Sequence, residues 1–118
     1  MKKIYHLGNC TTCQRIIKEL NLSANFILQD IKLEQITADQ LDEMAQLSGS
    51  YESLFSRRAM KYKELGLKEK SLNEDDYKNY ILKEYTFLKR PVLIVNEKIF
   101  VGNSKKNIEN AAKEVQNK

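Results

Sequence analysis

The first third of the chain carries Lys3-Ile4-Tyr5-His6-Leu7-Gly8-Asn9-Cys10-Thr11-Thr12-Cys13-Gln14-Arg15-Ile16-Ile17-Lys18-Glu19-Leu20, followed shortly by Phe26-Ile27-Leu28. Residues 3–7 read as a short strand that stops at Gly8-Asn9. Cys13, Ile16, Ile17 and Leu20 recur at i, i+3, i+4 and i+7, which predicts a helix over residues 11–21. Phe26-Ile27-Leu28 reads as a second, buried strand. Strand, helix and strand within about thirty residues form a βαβ unit, which favours parallel pairing and a right-handed crossover.

Beyond this unit the pattern turns helical. Thr37 followed by Gln40 is a capping-box pair, Leu41, Met44, Ala45 and Ser48 line one face, and Gly49 is a good stop. Tyr51, Leu54 and Phe55 predict a short second helix. A third starts at Asn73, with Asp75 and Asp76 in a first turn that favours acids, and Tyr77, Ile81, Glu84 and Tyr85 extend it. Leu72 and Tyr77 are spaced for a hydrophobic staple across that cap. Strands return at residues 92–95 and 98–101 around Asn96-Glu97, a hairpin pair weaker than Asn-Gly because glutamate tolerates positive φ poorly. Ser104 can cap a last helix with the stripe Ile108, Ala111, Ala112 and Val115. The order β-α-β, three helices, β-β-α predicts an α/β fold: a thioredoxin-like mixed four-stranded sheet with a helical insertion over about residues 36–86. One domain spanning residues 1–118 is expected.

Composition sets the bounds. A chain of 118 residues buries about two-thirds of its unfolded surface, so it needs no disulfide or metal staple. With 42% hydrophobic and 31% charged residues, it is neither disordered nor collagen-like. Its longest apolar run, Val92-Leu93-Ile94-Val95, is too short to span a bilayer, and residues 1–6 hold no signal-type apolar block. A cytoplasmic location without membrane association is expected. The net charge is +4, and cations gather at Arg57, Arg58, Lys61, Lys63, Lys68 and Lys70 against Glu64 and Glu69. Such a patch attracts anions or an acidic partner, or is simply a solvated helix face; direct nucleic-acid binding is not expected.

Cys10 and Cys13 are the two cysteines, and they form a Cys-x-x-Cys pair where a strand gives way to a helix. In a cytosolic βαβ setting this pattern reads as a redox pair. At a helix N-terminus, unpaired backbone N–H groups stabilise a thiolate, and the thiolate is the nucleophile. Cys10 occupies that position, whereas Cys13 lies on the apolar stripe and suits a resolving thiol. Two other readings stand beside this one. Cys13 can be a plain buried hydrophobe, and a zinc site would need four ligands where the chain offers Cys10, Cys13 and His6. No metal is therefore assigned. His6, the sole histidine, either depresses the thiol or holds the loop by hydrogen bonds.

With those residues in view, the chain resembles the ArsC/Spx family of glutaredoxin-dependent arsenate reductases, their relatives and Spx-type redox regulators. The resemblance rests on Ile4-Tyr5-His6 before Cys10-x-x-Cys13, then Phe55-Ser56-Arg57-Arg58, Tyr62-Lys63-Glu64-Leu65-Gly66-Leu67 and Leu88-Lys89-Arg90-Pro91-Val92, together with Val101-Gly102. It implies a thiol-dependent oxidoreductase in which Cys10 is the nucleophile and Cys13 or an external thiol resolves the adduct. It further implies that Arg90, with Arg57 or Arg58, binds the anion, and that Pro91 is the cis-proline of a thioredoxin-like fold. Alignment on Tyr62 puts Ser56 where the reductases carry arginine, with Arg57 beside it, whereas Spx-type spacing points to Arg58. The reductases' third arginine corresponds to Gly102, and they usually have serine at the place of Cys13. No bound cofactor is implied: glutathione with glutaredoxin, or thioredoxin, would supply electrons, and the substrate would be a small oxyanion or a thiol compound. The alternative is a Spx-like redox-sensing regulator that binds RNA polymerase.

Overall fold

The structure, a computed structural model, describes residues 2–22 and 24–116. Nine regular elements follow one another among these residues: β1 (Lys2–His6), α1 (Thr11–Leu20), β2 (Ile27–Asp30), α2 (Ala38–Ser48), α3 (Met60–Glu64), α4 (Glu74–Lys83), β3 (Val92–Val95), β4 (Lys98–Val101) and α5 (Lys105–Gln116). Single 3-10 turns occur at Glu52–Leu54, Leu67–Glu69 and Tyr85–Phe87. The strands make one mixed sheet in the order β2-β1-β3-β4. β1 runs parallel to β2 and antiparallel to β3, and β3 runs antiparallel to β4. The chain divides into two compact units: residues up to Gln35 with those from Arg90 onward, and residues Ile36–Lys89. No helix among the described residues is long and apolar enough to cross a membrane.

The first unit holds the sheet. Ile4, Leu93 and Val95 pack against Ile16 and Leu20 of α1 and Ala111 of α5, with Ile17, Phe100, Ile108 and Val115 around them. The periodic stripes seen in the sequence thus become one core. α1 ends a residue earlier than its periodicity predicts, because Asn21 turns left-handed (φ 49°) and its N–H closes on the Lys18 carbonyl. Ser104 caps α5 by accepting the Asn107 N–H at 3.2 Å. In the hairpin, Asn96 alone takes positive φ (58°), which spares Glu97.

The second strand corrects the sequence reading. It covers Ile27–Asp30, and Ile27 and Leu28 are half exposed rather than buried. β2 is an edge strand, paired on one side only, so three consecutive apolar residues there do not imply the full cover that β3 receives. Burial falls instead on Phe26 and on Gln29, whose side-chain amide donates to the Glu34 carbonyl at 3.0 Å.

The second unit is helical. The predicted capping box closes where Thr37 with Gln40 opens α2, and the predicted N-cap Asn73 forms a second box with Asp76 to open α4. Gly49 ends α2 at φ 106°, a conformation that costs glycine little. The helix expected at Tyr51, Leu54 and Phe55 is one 3-10 turn. Phe55 then extends to bridge Leu88, with Lys89 N–H on the Leu54 carbonyl at 2.9 Å. Phe55 sits among Tyr62, Tyr77 and Phe87, at ring-centroid distances of 6.0, 4.9 and 5.0 Å. α4 stops at Lys83 because Glu84 is extended and caps the next turn. α3 buries no residue, so it has no apolar stripe for periodicity to find.

Candidate active site

β1 ends at His6 and α1 begins at Thr11, so residues 7–10 must turn the chain from strand to helix. Hydrogen bonds at Leu7, Gly8 and Cys10 hold the turn. Cys10 N–H donates to the Leu7 carbonyl at 3.1 Å, and Gln14 N–H donates to the Cys10 carbonyl at 3.1 Å. Gly8 is gripped at both ends: its N–H donates to Asp30 Oδ2 at 2.9 Å, and its carbonyl accepts the Gln14 side-chain amide. Cys10 thereby becomes the N-cap of α1 with extended backbone (φ −98°, ψ 113°).

The two thiols meet opposite surroundings. Partial burial works against ionisation of Cys10. The Cys13 amide, the Cys13 thiol, the Thr12 amide and the Arg90 guanidinium outweigh it, and hold Cys10 below its ordinary value near 9.0. Helix-end amides and a cation act here in the way a thiolate requires. Cys13 is 1% exposed. Burial pushes its thiol up to about 11, the Leu7 backbone opposes this, and the Cys10 sulfur reinforces it. An acidic, partly exposed sulfur thus lies beside an inert, protonated one.

Arg90, Pro91 and His6 belong to the same sheet unit as the pair. The Arg90 guanidinium favours the thiolate of both cysteines. The Arg90–Pro91 peptide is cis, and the Pro91 carbonyl accepts the Gly102 N–H at 2.9 Å. Gly102 itself is left-handed at φ 93°. Its carbonyl accepts the Asn107 side-chain amide at 2.8 Å. His6 stands opposite Asp30 in the β1–β2 ladder. Its Nδ1 is buried without a hydrogen-bond partner among the described residues. Burial acts to raise Asp30, but the amides of Lys32, Gly8 and Leu33 and the charge of His6 prevail and set the carboxyl below its usual range.

Arg57 and Arg58 belong to the helical unit. Arg57 Nη2 is engaged by Glu52 at 2.9 Å and by the Tyr77 hydroxyl at 3.1 Å, and Glu52 chiefly raises its pKa. Arg58 is exposed on the surface of that unit. Asp30 and Gln14 carry no sequence signature of their role. Asp30 lies 22 residues from the glycine it holds, and its partner is a backbone amide, which no side-chain pattern announces. Among the described residues no three His, Cys, Asp or Glu side chains converge as metal ligands.

Comparison with known proteins bears on the family and the fold. The model of the ArsC family matches residues 5–111. A solved structure from Streptococcus mutans described as a possible arsenate reductase is 26% identical, with a TM-score of 0.72 over 94% of this chain and 97% of that one. A Staphylococcus aureus protein is 27% identical, with a TM-score of 0.72 over 93% and 97%. An arsenate reductase from Vibrio cholerae shares the fold at 19% identity, with a TM-score of 0.71 over 97% and 93%. Curated protein sequences give no match. The mixed sheet with its helices is the thioredoxin-like fold of these neighbours.

Proposed function

The chain belongs to the ArsC family, and on that premise we propose that it is an arsenate-reductase-like thiol oxidoreductase whose nucleophile is Cys10. The observation that carries the reading is the unequal acidity of the cysteine pair: Cys10 lowered at a helix N-terminus beside Arg90, Cys13 raised to about 11.

On a disulfide substrate the Cys10 thiolate attacks one sulfur. A Cys10–S bond forms, and the other sulfur leaves as a thiolate. Cys13 then loses its proton, attacks the Cys10 sulfur and expels the second thiolate. The substrate gains two electrons, and Cys10–Cys13 becomes a disulfide. On arsenate, the thiolate displaces water at arsenic. A second thiol, from Cys13 or from glutathione, then completes a two-electron reduction to arsenite as two thiols become one disulfide. Two external thiols, carried by glutaredoxin or thioredoxin, restore the pair. Cys13 is suited to wait. Its proton is held mainly by burial and partly by the Cys10 sulfur, and the second influence fades once Cys10 is bonded.

Arg90 serves as the anion ligand, since a guanidinium gives charge-assisted, bidentate bonds to an oxyanion. Within the helical unit, Arg57 is engaged by Glu52 and Tyr77 and Arg58 is exposed. His6 acts on the loop through Asp30. With Gly102 in place of a third arginine, arsenate turnover is expected to be slow.

Limited alkylation with iodoacetamide at neutral pH, followed by peptide mapping, tests the role assignment: Cys10 labels first, and first labelling of Cys13 refutes it. Arsenate reduction with glutathione and glutaredoxin, and separately with thioredoxin, tests the reaction. A disulfide that forms reversibly without turnover of any substrate would favour the redox-sensing regulator instead.

A further inference from the structure

We infer that Asp30 is the positioning residue of Cys10: by accepting the Gly8 amide, its carboxylate holds the strand-to-helix turn that sets the Cys10 sulfur against the first amides of α1. The inference rests on the reading of Cys10 as nucleophile and goes beyond it, because it gives a role to a residue that acts on the Cys10 turn through the Gly8 amide.

Three observations carry it. The first is the bond itself, Gly8 N–H to Asp30 Oδ2 at 2.9 Å, made across 22 residues from the end of β2 to the turn after β1. The second is that the carboxylate is fixed on its other side: Oδ1 accepts the Lys32 N–H at 3.0 Å, and the Asp30 carbonyl accepts the N–H groups of Leu33 and Glu34 at 3.1 and 2.8 Å. Asp30 therefore cannot swing away without unmaking the turn that follows β2. The third is the glycine. A Cβ at position 8 would run into Asp30 Oδ2, so the close approach requires a residue without a side chain.

With its N–H on Asp30 and its carbonyl on Gln14, Gly8 is clamped between the sheet and the first turn of α1. Cys10 is two residues further on, and its amide is tied back to Leu7. Releasing the clamp lets the turn relax, and the Cys10 sulfur then drifts from the amides of Thr12 and Cys13 that favour its thiolate. The bond-accepting oxygen matters more than the charge. A negative carboxylate near the turn disfavours a thiolate by repulsion, so its benefit must come from geometry.

The test follows the Cys10 thiolate by its ultraviolet absorbance during a pH titration, by its iodoacetamide rate at neutral pH and by peptide mapping. Thermal melting is recorded alongside. Asp30→Ala is expected to raise the Cys10 titration midpoint and slow its alkylation by about five- to tenfold, the size of roughly one ordinary hydrogen bond. Asp30→Asn leaves one acceptor oxygen for the N–H groups of Gly8 and Lys32 and should recover only part of the loss, whereas a purely electrostatic role would take the Cys10 midpoint below that of wild type. Gly8→Ala, which leaves Asp30 in place, should reproduce the defect of Asp30→Ala even if the latter folds poorly. The double variant should be no worse than either single one, since both break the same contact. Equal Cys10 midpoints and rates in wild type, Asp30→Ala and Gly8→Ala overturn the inference, even where melting temperatures fall. First labelling of Cys13 in the wild type is a different outcome: it removes Cys10 as nucleophile and the positioning role with it.

Discussion

Cys10 and Cys13 share one helical turn, and only their surroundings make them different reagents. Burial holds the Cys13 proton to about pH 11 against an ordinary value near 9.0. The folded protein therefore binds that proton more tightly than the unfolded chain does. The stability this confers is whole below pH 9 and is lost as pH rises toward 11, by about 2 kcal/mol. In a Cys10→Ser background, melting temperatures should fall through that window, and adding Cys13→Ala should flatten the fall. Identical pH profiles would show that Cys13 is not the group responsible. Ring closure of a mixed disulfide on Cys10 should likewise accelerate about tenfold per pH unit below the Cys13 pKa, because the thiolate is the attacker; rapid-quench mass measurement follows it. For Arg90, added sulfate should protect Cys10 from alkylation in the wild type and should not in Arg90→Ala. Equal protection in both would exclude Arg90 as the anion ligand. At this scale the cysteines were readable from sequence because spacing alone places them on one turn. Asp30 was not, because its partner is a main-chain amide brought near by strand pairing.

Among the elements, those announced by short-range chemistry appear where the sequence puts them. The caps at Thr37 and Asn73, the stripe of α1 and the β3–β4 hairpin each depend on residues within a turn or two of one another. Elements whose character depends on neighbours distant in sequence were less legible. β2 is apolar yet half exposed because it lies at the sheet edge, and α3 forms without burying a residue. Asn73→Ala removes the acceptor for the Asp76 amide and should cost about 1 kcal/mol. Chemical denaturation measures it, and an unchanged midpoint would mean that α4 is held by packing alone. Leu28→Lys, on the exposed strand, should change stability by less than about 0.5 kcal/mol. A larger loss would show that this side chain is not the solvent-facing one its 50% exposure indicates.

For the whole molecule, the decisive fact is that the helical unit is one uninterrupted stretch, Ile36–Lys89, whereas the sheet unit is assembled from both ends of the chain. The order of elements predicts a helical insertion over about residues 36–86, and the compact helical unit spans Ile36–Lys89. Lys89 stays with the helices through its bond to the Leu54 carbonyl, a contact made across many residues. A ribosome meets this arrangement in sequence order. β1, α1 and β2 emerge first, but β3, which must lie against β1, is made only after the 54 residues of the helical stretch. At about 5–20 residues per second, that is a wait of about 3–10 s. For the later part of it the cysteine pair is outside the tunnel without the complete sheet, the Arg90 charge or the core that make one sulfur acidic and bury the other. Stalled chains that end at residue 89 should alkylate at Cys10 and Cys13 with nearly equal ease, and released full-length chains should favour Cys10 strongly. The nascent protein thus passes through an interval in which its thiols are ordinary cysteines, open to any oxidant of the translating cell, and it becomes a selective reagent only when its final strands arrive.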